Sequence, residues 1–345
     1  MLWPYPYDSI WNHPLGDSAD LVPFGLDIPT QRTLNIEEDI IITSPNSPLR
    51  QIKESNAGWT GARRCDPATW TGPNLKDSFP VPIPPGWVTD PGYWGDKPNH
   101  SAAILLPDMT LFETQPFHIC PDGTAVSRHH NVTWRGDSIL TGGHGDPRGG
   151  SHGGSGMTAF GGTIRLDEWV PGGEIRHALK ILVDTPNLSP TLGGHRWPAL
   201  NADANYASKY SGSVPAARMG SLVALPPNFN VEGLNSEPAR ILARALQSYG
   251  AYIVDNTGWS VVSFSTEWGP AGRVKDQFQN VWGFPLHGHR ANTSGAQNQF
   301  LTDMETIYAN LHVVNDNGPN NIGGAGTRMA PWAPPFPNGT GGPPR

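Results

Sequence analysis

Apolar and polar positions alternate with a period of two over several short stretches of this chain, and proline or glycine stops each before it grows long. The clearest stretch is 101–120. There SAAILLP and TLFETQPFHIC flank Pro107-Asp108-Met109, the turn of a predicted hairpin. In its second strand Leu111, Glu113, Gln115, Phe117 and Ile119 should share one face, and Phe112, Thr114 and His118 the other. Glu113 and Gln115 then sit among apolar neighbours, either at a solvated edge or on a concave face whose polar groups hold a ligand. Further strands are expected over 39–43, 175–183, 219–225, 251–255 and 259–268. The period changes to that of a helix three times. Residues 236–249 carry Ser236 as N-cap, Pro238 in the first turn, Gly250 as stop and an apolar stripe of Ile241, Leu242, Ala245, Leu246 and Tyr249. A short helix is expected around 274–282. A last one should open at Thr302-Asp303-Met304-Glu305, a capping box, and turn Ile307, Tyr308 and Leu311 inward.

Composition adds to this picture. The 345 residues include 41 glycines and 36 prolines, scattered between the apolar runs, while charged residues make up only 15%. Such a chain builds many short strands and long ordered loops. The expected fold is mainly β: a β-sandwich or jelly-roll-like body with two or three peripheral helices and long Pro/Gly-rich loops. Neither an internal repeat nor a linker divides the chain, so residues 1–345 read as one β-rich domain. Its first 35 residues, with Trp3, Tyr5, Tyr7, Trp11 and Phe24 among prolines, should form an extended aromatic arm packed across the body. Residues 315–345 should form a tail that wraps it.

The formal charge of −7 lacks any basic stripe, which argues against a nucleic-acid partner. No apolar run is long enough for a helix to insert in a membrane. Residues 1–14, MLWPYPYDSIWNHP, lack the basic start and apolar core of a leader peptide. Cys65 and Cys120 are the only cysteines and match no metal spacing, so one disulfide is expected. With five Asn-x-Ser/Thr sequons, at Asn99, Asn131, Asn187, Asn292 and Asn338, this favours an extracellular protein.

Defining residues are missing for the serine-hydrolase elbow, the zincins, the phosphate-binding loop and the dinucleotide fingerprint. What remains is a glycine loop from Thr141, TGGHGDPRGGSHGGSGMTAFGG, and seven of the twelve histidines between His118 and His195. His177, placed with Ile175, Leu179 and Ile181 on an apolar strand face, is the foremost acid–base candidate; its plain alternative is a hydrogen-bonded core histidine. Arg176 beside it, Tyr206 and Tyr210 near Asp203, and the strand-borne Gln115 and Glu113 complete a candidate catalytic set. His144, Arg148, His152, Arg165, Trp134 and Lys180 are candidate substrate contacts. A tyrosine acid, a histidine base and an arginine on a uronate would suit β-elimination. The rival is glycoside hydrolysis by two carboxylates, drawn from Glu113, Asp167, Glu168, Glu174, Asp203 and Glu267. No cofactor is required, although a divalent metal on His129, His130, His144 and His152 is a further alternative.

Several segments, HGGSGMTAFGGTIR, EIRHALKI, ARMGSLVALPP, ARALQSYGAYIVDNT and GGAGTRMAPWAPPF, resemble a group of secreted, largely uncharacterised bacterial proteins. The resemblance runs from about Leu105 onward and implies secretion and one integrated domain; it brings no activity with it. A weaker likeness, through Gln115 and His177, is to jelly-roll polysaccharide lyases, whose tyrosine-bearing YFKAG-type strand is missing here. The expectation is therefore a secreted enzyme cleaving a polysaccharide, lyase before glycoside hydrolase. The alternatives are a non-catalytic glycan-binding or cell-surface structural protein, and a metal-dependent enzyme.

Overall fold

The computed structural model describes residues 5–57, 63–76, 78–89, 99–130, 138–143 and 150–332. The body is mainly β. Its principal sheet has eleven strands, and across it run Leu21–Pro23, His312–Val314, Leu222–Ala224, Ala251–Asn256, Leu179–Val183, Val261–Gly269, Arg32–Ile42, Ala102–Leu105, Leu111–Gln115 and His129–His130. The eleventh, Gly272–Arg273, pairs beside Val261–Gly269. Strand 179–183 lies parallel to 251–256, and 32–42 lies parallel to both 261–269 and 102–105; the other pairings are antiparallel. The sheet is thus mixed, with its most buried strands at the centre, as parallel pairing requires.

One face of this sheet packs against a four-stranded sheet of Trp70–Gly72, Ile52–Ser55, Ala125–Ser127 and His118–Ile119. Ile40, Ile42, Ala102, Ile104 and Phe112 from the large sheet meet Ile52, Phe117, Ile119 and Ala125 there in one apolar core. The other face contributes Ile41, Ala103, Leu105, Leu111 and Ile181 to a larger core that the helices and the glycine loop close. The predicted hairpin is present, its turn closed by Leu106 N–H to the Thr110 carbonyl at 2.9 Å. Its expected alternation holds only to Gln115. The strand stops before Pro116, which cannot donate to a ladder, and the chain crosses to the smaller sheet. Phe117 and Ile119 therefore share a core with Phe112 and not with Leu111.

The helices Glu237–Ser248 and Val274–Trp282 lie where the periodicity puts them. The last helix does not begin at Thr302. It spans Gly295–Ala309, and Asp303 caps a different helix: its carboxylate accepts from Ser236 N–H at 2.7 Å and Asn235 N–H at 3.2 Å. Likewise the strand expected over 175–183 starts only at Leu179. In the aromatic segment Tyr5, Trp11 and Phe24 are buried, with Trp11 edge-on to Tyr252 at 5.3 Å, while Trp3 lies outside the described residues. The described part of the tail returns to the arm through Met329 N–H to the Leu15 carbonyl, 2.9 Å; residues 333–345 lie outside the described residues. Cys65 and Cys120 form a disulfide with Cα atoms 5.5 Å apart, tying a loop to the end of the strand His118–Ile119.

Candidate active site under the glycine loop

The glycine loop, described over 141–143 and again from Gly150, packs Met157, Ala159 and Phe160 into the core on the helix-bearing face of the large sheet. Its glycines are there because backbone rests directly on polar side chains. At Gly153, where φ is +53°, a Cβ would run into the Asp255 carboxylate, and at Gly154 it would crowd Asp203. Two side chains anchor the loop from below. Glu113 accepts from Ser151 N–H at 2.8 Å, Ala159 N–H at 3.2 Å and the Thr158 hydroxyl, and Gln115 Oε1 accepts from Gly153 N–H at 3.2 Å. The polar pair that the strand pattern places among apolar neighbours is thus neither solvated nor free. Both side chains are buried and spent on holding the loop.

Beneath the loop the strand Arg32–Ile42 alternates its acids. Glu38 faces the smaller sheet, where Arg273 pairs with it in two-pronged fashion and Lys275 reaches it at 3.2 Å. Glu37 and Asp39 point the opposite way. Asp39, wholly buried, receives Lys180 Nζ at 2.8 Å and the Thr163 hydroxyl at 2.8 Å on Oδ2, while His152 Nε2 stands 3.2 Å from Oδ1. Burial opposes its ionisation, but the charge of Lys180 outweighs it and holds the carboxyl below the usual carboxylate range. Burial pushes His152 below its ordinary value, so it stays neutral. Lys180 spends its other hydrogens on the Thr158 and Ala159 carbonyls, at 3.2 and 2.9 Å.

Nearer the surface lies a second set of acids. Asp255, the penultimate residue of its strand, accepts from Gly154 N–H at 3.1 Å and Asn256 N–H at 2.9 Å. Burial, followed by the negative charge of Asp203, lifts it from the ordinary 3.8 to about 7. Glu37 is raised as well, by burial and then by Asp255 and Asp39, and its buried Oε1 has no hydrogen-bond partner. Asp203 is half-buried and accepts from the Tyr210 hydroxyl at 2.6 Å and from the Asn256 amide. A carboxyl that keeps its proton near neutrality therefore stands beside a carboxylate fixed by two donors, with Gly154 against both.

Of the residues singled out in the sequence, Glu113, Gln115, His152, Lys180, Asp203 and Tyr210 gather in this region. The other catalytic and substrate-contact candidates do not reach it or lie outside the described residues. His177 precedes its strand and is buried against Glu168, 3.2 Å from Nε2, with Nδ1 on the Ala178 carbonyl at 2.8 Å. Arg176 lines a surface pocket with Glu174, Ile241, Arg244 and Tyr249. Arg165 is pinned to Glu267 at 2.9 Å below the far end of the loop. Tyr206 packs edge-on against Tyr210, with ring centroids 6.1 Å apart. Trp134, His144 and Arg148 lie outside the described residues, as does the side chain of His130. His129 is exposed, and His152 is committed to Asp39 and Ser265. Among the described residues no group of three or more His, Cys, Asp or Glu is arranged to hold a metal ion.

Sequence reasoning missed Glu37, Asp39 and Asp255. The available signals were three consecutive acids running straight into Ile40–Ile41–Ile42, and an aspartate closing the apolar run Ala251 to Val254. Compared with known protein families, curated proteins and solved structures, the chain gives no match.

Proposed function

We propose that this chain is a secreted enzyme that hydrolyses a polysaccharide, with Asp255 as proton donor and Asp203 as the carboxylate that serves water or the sugar carbon. The observation that carries the reading is the pair itself. Two acids sit side by side, one lifted to about 7 and the other held by hydroxyl and amide donors. A carboxyl raised in this way, next to a second one held by hydrogen-bond donors, suits an acid with its partner carboxylate in glycosidic hydrolysis. The segment that reaches Asp203 is tied to the loop by Leu200 N–H to the Ser155 carbonyl at 2.9 Å.

Hydrolysis is favoured over β-elimination because the elimination set does not converge. His177 is engaged by Glu168, and the Tyr210 hydroxyl, bonded to Asp203 and pushed upward by burial, holds its proton firmly. The disulfide suits an oxidising compartment. The test is a panel of neutral and uronate polysaccharides, reading reducing ends together with the ultraviolet absorbance of unsaturated uronates. Reducing ends without absorbance are expected, and Asp255→Asn should lower kcat by at least about a hundredfold. Absorbance lost in His177→Ala would restore the lyase. Affinity for a glycan with neither signal would make this a binding protein.

A further inference from the structure

We propose that Lys180 and Asp39 become joined, once the chain has folded, by an intramolecular isopeptide bond. The inference is independent of the hydrolase reading and rests on the inner charge set. Both side chains are entirely shielded from solvent, and Nζ lies 2.8 Å from Oδ2. A buried ion pair is a costly arrangement that an amide of the same atoms would relieve, since condensation removes both charges. Exclusion of water also removes the reagent that would reverse it.

The surrounding groups fit each stage of the reaction. A proton first passes from the Lys180 ammonium, which burial makes easier to lose, to the Asp39 carboxyl, and the neutral Nζ then attacks Cγ of Asp39. The Thr163 hydroxyl, 2.8 Å from Oδ2, stabilises the charge that develops there and remains on the amide oxygen. His152 Nε2 stands 3.2 Å from Oδ1, the oxygen that departs, and its buried Nδ1 has no hydrogen-bond partner. It can therefore carry protons. Glu37 lies two residues from Asp39 on the same strand face and is a second carrier. The balance is simple: the Cγ–Nζ bond forms and the Cγ–Oδ1 bond breaks. Two of the three ammonium hydrogens end on Oδ1, which leaves as water. No electron donor or acceptor is needed. The remaining N–H can keep its bond to the Ala159 carbonyl, now 2.9 Å from Nζ. Lys180 and Asp39 belong to strands separated by Val261–Gly269, so the bond would fasten the sheet's centre across an intervening strand.

The experiment is the intact mass of the purified chain, denatured and with its disulfide reduced. It should be lighter than the sequence mass by one water, and a digest should yield a branched peptide joining the segments that carry Asp39 and Lys180. Asp39→Asn should form the same bond with loss of ammonia. Lys180→Ala should show the full mass, and His152→Gln should leave a fraction unreacted. A folded wild-type protein at full mass, or a water lost without the branched peptide, would overturn the proposal. The wild-type measurement decides even where a variant fails to fold.

Discussion

Individual glycines in this protein do different work, and substitutions should separate them. Gly161 has an ordinary backbone conformation, but a Cβ there would fall within the Trp11 indole, itself buried against Tyr252. Gly25 has φ of +64° and empty space around it. Gly161→Ala should therefore overpack a filled core and cost about 1–3 kcal/mol. Gly25→Ala meets only backbone strain and should cost about 1 kcal/mol. Urea unfolding of the two variants checks the order, and equal losses would count against the packing account. The same distinction explains why the acids of the site were hard to see in advance. The strand expected from residue 39 leaves Glu37 outside it and gives Asp39 no special place; nothing local says that a glycine loop will lie over them and Lys180.

Strands and helices with a strong period were legible, because their period is set within the segment. The hairpin of 102–105 with 111–115 and the helices 237–248 and 274–282 are of this kind. Partners remote in sequence were not. The parallel pairing of 32–42 with 261–269 leaves no mark in either stretch. The supposed capping box at Thr302 was a false signal, since Thr302 returns its hydroxyl to the Asn298 carbonyl at 2.8 Å within a helix already under way. Asp303 serves the N-terminus of its neighbour helix, where it accepts from two backbone N–H groups and from the Ser236 hydroxyl. Asp303→Ala should strand these donors and cost about 1–3 kcal/mol. Ser236→Ala removes one hydroxyl and should cost about 1 kcal/mol. Chemical denaturation of both variants tests whether the cap comes from the side chain of the other helix.

Across the fold, the raised acids tie stability to pH. Asp255 titrates near 7 in the folded chain and near 3.8 in the unfolded one, so the folded state holds a proton that unfolding releases. Its contribution to stability is greatest below about pH 4 and falls as pH rises to about 7, by at most about 1.4 kcal/mol per pH unit. Glu37, also raised, acts in the same direction. Asp255→Asn should flatten the stability profile between about pH 5 and 7. A wild-type profile that climbs over this interval, with an unchanged slope in the variant, would contradict the assignment. The hydrolase reading makes a parallel demand on rate, which should decline above about pH 7 as the donor loses its proton.

The pairing of Leu21–Pro23 with His312–Val314 carries a consequence for the order in which the molecule can be made. A ribosome delivers Leu21–Pro23 early relative to the strand that receives it, which comes almost three hundred residues later. Trp11 waits for Tyr252, and Leu15 for Met329. During synthesis the strand Leu21–Pro23 must therefore wait without its ladder partner, although Trp11 already has Ala178 and Gly161 to pack on. Ribosome-bound chains in which residue 314 has or has not cleared the exit tunnel should differ in how readily a protease cuts near Leu21.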